Sequence, residues 1–113
     1  MEDNSANEYI NKVFGSIFQE YRLKNNLTQE KLSEELSKST QTISRIETAR
    51  DGTSKRTDID LMNFLEIEPN VLYQNFITNP NLIKRIELSN KTKDLPVEKV
   101  EALFKIIDII KGL

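Results

Sequence analysis

Cysteine, histidine and tryptophan are all missing from these 113 residues, and glycine and proline number only three each. Without cysteine there is no disulfide framework, which agrees with a reducing cytoplasm. Losing histidine as well removes the common zinc ligands and most nucleophile and base constellations. Three scattered glycines build no phosphate-cradling loop. The expectation is therefore a protein that is not an enzyme and holds no metal or cofactor. No run approaches the roughly 20 apolar residues needed to cross a bilayer. The start, MEDNSANEY, is too polar and acidic for a secretory leader.

What is present reads as helices. Tyr9-Ile10, Val13-Phe14, Ile17-Phe18 and Tyr21 recur every three to four residues, which predicts a first helix over about 7–25. Thr28 caps a second over 28–37, with Leu32 and Leu36 one turn apart on its buried stripe. Ser39 caps a third over 40–49, in which Ile43 and Ile46 are the only strongly apolar positions. A purely structural helix of this length offers a wider apolar stripe. Facing outward instead are Thr40, Gln41, Ser44 and Arg45, short donors and acceptors suited to base edges. Two short helices joined by a tight turn, the second presenting such a face, form the layout of a DNA-reading helix-turn-helix.

Residues 50–56 have turn chemistry and no apolar side chain, so they read as a loop. Asp51-Gly52 is expected to supply a left-handed turn there. Thr57 with Asp60 three residues on resembles a capping box for a fourth helix carrying Ile59, Met62 and Leu65. Pro69 opens a fifth with Val71, Leu72 and Phe76. Asn79-Pro80 begins a sixth, residues 89–94 read as a polar link, and Pro96 starts the last. The organisation expected is a helix-turn-helix domain over 1–78 and a helical segment over 79–113. Apolar residues of the last helix, Val100, Leu103, Phe104, Ile107 and Ile110 among them, cover more than one narrow stripe. They are expected to dimerise; the alternative is an extra helix packed back on its own bundle.

A net charge of −2 sits oddly with binding a polyanion. Position resolves this better than the total. From Lys38 to Arg56 five cations (Lys38, Arg45, Arg50, Lys55, Arg56) face two acids (Glu47, Asp51), whereas residues 1–37 hold four cations and seven acids. That local surplus suits phosphate, and the acidic remainder limits non-specific affinity. The alternative reading is an ordinary solvated charge run.

At these residues the chain resembles the phage Cro/repressor (XRE-type) helix-turn-helix DNA-binding family. Phe14-Gly15-x-x-Phe18-x-x-Tyr21-Arg22 follows the family's first helix, and the match continues through Leu27-Thr28-Gln29-x-x-Leu32 and Thr42-Ile43-Ser44-x-Ile46-Glu47. It extends more loosely to Leu65-x-Ile67-x-Pro69-x-x-Leu72, covering about residues 9–76. Departures fall at the turns: Ser37 and Ala49 stand where the family often has glycine, Lys38 replaces an apolar residue, and Ser33 replaces alanine. The resemblance implies an all-α, five-helix lambda-repressor-like bundle, here with an additional C-terminal helical dimerisation element. It also implies an ion pair between Arg22 and Glu47, and a phosphate contact from Gln29. Ser39, Arg50, Lys55 and Arg56 are placed for phosphates too, while Thr40, Gln41, Ser44 and Arg45 read bases.

The function expected is a sequence-specific double-stranded DNA-binding transcription regulator, a bacterial or phage repressor. It would act in the cytoplasm as a homodimer on a palindromic operator, with no membrane role. A different class remains open: an antitoxin-like module that binds a partner protein through the C-terminal helices.

Overall fold

A computed structural model describes residues 5–113; the acidic start read at residues 1–4 lies outside them. Seven α-helices follow in order: α1 (Ser5–Lys24), α2 (Gln29–Glu35), α3 (Thr40–Glu47), α4 (Lys55–Leu65), α5 (Pro69–Tyr73), α6 (Pro80–Thr92) and α7 (Val97–Lys111). A single 3-10 turn, Gln74–Phe76, follows α5. The described residues contain no strand.

The N-termini form where a short polar side chain can take an orphan amide. Thr28 accepts from the Lys31 N–H at 3.0 Å, Ser39 from Thr42 at 3.0 Å, Ser54 from Thr57 at 3.1 Å and Asn79 from Asn81 at 2.9 Å. Pro69 and Pro80 occupy first-turn positions, where a missing N–H costs nothing. Three boundaries depart from the sequence reading, the first being that α5 ends at Tyr73 and leaves Phe76 in the 3-10 turn. Helix α4 starts at Lys55 because Ser54, not Thr57, is its cap, and Thr57 is buried. Helix α6 runs through the expected link to Thr92, whose hydroxyl donates back to the Ser89 carbonyl at 3.0 Å.

The C-termini share a device invisible to a search for glycine. Asn26, Ser37, Ala49 and Glu66 have φ of 56°, 54°, 61° and 56°, and no glycine has a positive φ. After α3 the Ala49 N–H reaches the Ile46 carbonyl at 3.1 Å and the Arg50 N–H reaches Arg45 at 2.9 Å, the paired bonds of a Schellman cap. The same pattern closes α2, from Ser37 to Glu34 at 3.2 Å and from Lys38 to Ser33 at 2.8 Å. The left-handed residue expected at Asp51-Gly52 is therefore Ala49. A Cβ in this region costs roughly 1–2 kcal/mol, and glycine returns up to about 1 kcal/mol of that as lost chain entropy. Ala49→Gly should accordingly raise the midpoint of thermal unfolding by a few degrees. A lower midpoint, followed by circular dichroism, would contradict the strain argument.

The chain divides into a unit ending at Asn75 and a unit from Phe76 to Leu113. The first has a core of Phe14, Phe18, Leu32, Ile43, Ile46, Leu61, Leu65, Ile67 and Leu72, all buried. Phe14 meets Phe18 and Tyr73 edge-on at 6.2 and 5.2 Å between ring centres, a favourable arrangement. Asp58 is buried at the start of α4, where Thr53 donates to it; burial nevertheless holds its carboxyl above the usual range.

The second unit is built differently. Neither α6 nor α7 has a buried residue. Between them lies an apolar groove of about 430 Å³, lined by Leu88 on α6 and by Val100, Leu103, Phe104, Ile107 and Ile110 on α7. Among the described residues no helix is long and apolar enough to cross a membrane.

Candidate nucleic-acid interface

The presentation of α3 begins with glycine in α1. A Cβ on Gly15 would stand 2.5 Å from the Ile46 carbonyl oxygen and 3.0 Å from that of Glu47. Only a residue without a side chain lets α1 come this close to the end of α3, which explains the glycine of the Phe14-Gly15 pattern. Ile43, Ile46 and Glu47 are buried. At 100° per residue the opposite arc holds Gln41, Ser44, Arg45 and Thr48. Gln41 and Thr48 are exposed, and Ser44 and Arg45 half-exposed.

One end of α3 is locked by charge. Arg22 Nε donates to Glu47 Oε2 at 2.7 Å and Nη2 to Oε1 at 3.0 Å, while Nη1 reaches the Leu27 carbonyl at 2.7 Å. The two side chains are 8% and 1% exposed. Gln29 Nε2 adds a third bond to Glu47 Oε1 at 3.0 Å. One carboxylate thus ties α1, the start of α2 and the end of α3 together, and every partner compensates the burial of another. Gln29 was expected to face phosphate; one of its two amide protons instead turns inward, which sequence spacing alone could not reveal.

The other end is locked by hydroxyls. Ser33 donates to the Glu30 carbonyl at 2.6 Å, so its only proton is committed and the 3.2 Å contact to Thr40 has Thr40 as donor. Ser33, small enough for α2 and α3 to approach, thereby also bonds them. Thr40 is exposed, and its hydroxyl oxygen keeps acceptor capacity. Ser39 combines its cap with a 2.8 Å bond to the Thr42 hydroxyl.

On the outward face of α3, Arg45 is already paired. Its Nε meets Asp51 Oδ2 at 2.7 Å and its Nη2 meets Oδ1 at 3.1 Å, a two-pronged pair on the surface. The Arg45 hydrogen bond holds the Asp51 carboxyl below the usual range, and Asp51 in turn raises Arg45 above its own. Lys55 and Arg56, expected in a loop, occupy the first turn of α4, with Arg56 3.3 Å from Asp60. Among the described residues Lys38, Arg50 and Lys55 are in no ion pair. Thr48, which the sequence reading leaves out, is the C-cap residue of α3 and shares the outward arc, although its hydroxyl donates to the Ser44 carbonyl at 2.8 Å.

Compared with protein families, residues 18–72 match the helix-turn-helix family. Residues 18–72 form a domain of the XRE-type helix-turn-helix family. The match spans α2, the turn and α3, together with the end of α1 that holds Arg22 and the helices α4 and α5 that cover the core. This helix-turn-helix protein is a DNA-binding regulator, and its ligand is double-stranded DNA. No curated protein and no solved structure matched it.

Proposed function

We propose that this protein is a transcription repressor that binds a palindromic operator as a homodimer, with α3 of each copy in the major groove. The observation that carries the reading is the outward arc of α3, which holds Gln41, Ser44 and Arg45 above a face otherwise buried. Gln41 suits adenine N6/N7 and Arg45 suits guanine O6/N7, with Ser44 and the acceptor side of Thr40 adding adaptable contacts. Ser39 at one end of α3 and Arg50, Lys55 and Arg56 at the other suit the backbone. Gln29 retains one amide proton for a phosphate. The protein would act in the cytoplasm of a bacterium, on a bacterial or phage operator.

A second copy of the chain is the occupant we assign to the groove between α6 and α7. Val100, Leu103, Ile107 and Ile110 follow three- and four-residue steps, the spacing of a helix–helix seam. Two helices without a buried residue lack a core, and a partner of the same kind supplies one. A dimer also sets two copies of α3 on one face of a duplex, with half-sites about 34 Å apart.

Selection of bound sequences from random duplex DNA tests the proposal: a two-fold motif with that spacing is expected, and an unstructured pool would reject it. In the same assay Arg45→Ala should flatten preference at one position per half-site, losing roughly 1–3 kcal/mol of discrimination. Lys55→Ala should weaken all sequences alike and lower the salt slope by about one.

A further inference from the structure

We propose that Asp51 is a positioning residue for base reading, its carboxylate gripping one edge of the Arg45 guanidinium so that the other edge is presented ready-oriented to a guanine. The inference rests on the assignment of Arg45 as a base reader. An arginine has five N–H donors in a planar fork. Asp51 engages Nε at 2.7 Å and one proton of Nη2 at 3.1 Å. That leaves the two protons of Nη1 and the second of Nη2, and the end-on pair formed by Nη1 and Nη2 matches guanine O6 and N7. The bond to Asp51 therefore does not compete with the base; the two acceptors use different edges of one group.

The backbone is arranged to hold this pair. The left-handed Ala49 folds the chain back over the end of α3, so the Arg50 and Asp51 N–H groups both reach the Arg45 carbonyl, at 2.9 and 3.3 Å. The residue whose carboxylate holds the Arg45 side chain is thus itself anchored to the Arg45 main chain. A free arginine samples many rotamers and loses that freedom on docking, whereas one already held in a plane loses less. The same grip keeps Arg45 from neutralising phosphates at random, and the negative charge of Asp51 weakens attachment to DNA of any sequence.

Asp51→Ala is expected to lower the preference for guanine at the Arg45 position about tenfold while raising affinity for random duplex DNA, with a salt slope steeper by up to about one. Asp51→Glu keeps the charge but shifts its reach. It should lose the preference without gaining random-DNA affinity, which separates geometry from charge. If Asp51→Ala tightens specific and random DNA equally, the carboxylate is only a repulsive charge and the proposal is overturned. Arg45→Ala, measured alongside, distinguishes the two failures. Flattening by Arg45→Ala with no effect of Asp51→Ala removes only the role of Asp51; no flattening by Arg45→Ala removes the base-reading assignment itself. The double variant Arg45→Ala/Asp51→Ala should show the base preference of Arg45→Ala alone, since Asp51 acts through that side chain. Thermal unfolding of each variant checks that the exposed pair is not needed for folding.

Discussion

Glu47→Ala should destabilise the helix-turn-helix unit by about 3–5 kcal/mol, the cost of leaving a buried charge without its partner. The substitution strands three donors at once: Arg22 Nε and Nη2, and Gln29 Nε2. Water cannot replace the carboxylate easily, because the Arg22 side chain is only 8% exposed. Arg22→Ala should cost on the order of 3 kcal/mol, leaving the Glu47 carboxylate, 1% exposed, with Gln29 alone. A domain of this size has roughly 5–15 kcal/mol in total, so either variant should be largely unfolded well below the midpoint of the parent. Urea unfolding followed by circular dichroism measures both. In the double variant the two losses should fall far short of additivity, since each alone already breaks the same cluster. A loss under about 0.5 kcal/mol for either would mean that the pair behaves as a surface bridge.

That pair was legible in the sequence only through family resemblance, since nothing in a spacing of 25 residues says that two charges meet. Periodicity and capping chemistry were more direct. Thr28, Ser39 and Asn79 mark starts because a hydroxyl or amide oxygen beside an apolar stripe has one obvious use. Ser54 is masked in the sequence because Thr57, three residues on, offers the same chemistry with an acid behind it, and Lys55 and Arg56 read as loop. The left-handed turns were hidden for a different reason. Ser37, Ala49 and Glu66 carry no conformational signal in their side chains; their φ is imposed by the paired hydrogen bonds that close each helix. Once Ala49 is left-handed, Asp51 meets Arg45, so the same hidden turn concealed the partner of the proposed base reader. Gln29 illustrates the general limit: its position at the start of α2 was readable, but the direction of its amide depends on a carboxylate 18 positions away.

Ile107→Asp should separate the proposed dimer and lower affinity for a palindromic operator by about 10²–10⁴-fold, which is roughly 3–5 kcal/mol. Ile107 lines the groove between α6 and α7 and is 40% exposed, so a carboxylate there meets water in the free chain but is desolvated against a partner. The substitution should leave the first unit folded, because none of the nine core side chains belongs to the second. Affinity for a single half-site should then be unchanged, since each copy of α3 keeps its own contacts. What disappears is the advantage of delivering the second reading helix at high effective concentration once the first has bound. Light scattering at micromolar concentration should report a dimer for the parent and a monomer for the variant, and titration of full-site and half-site duplexes should show loss confined to the full site. A monomeric parent, or equal losses on both duplexes, would remove the second copy from the groove and turn attention to a different protein as its occupant.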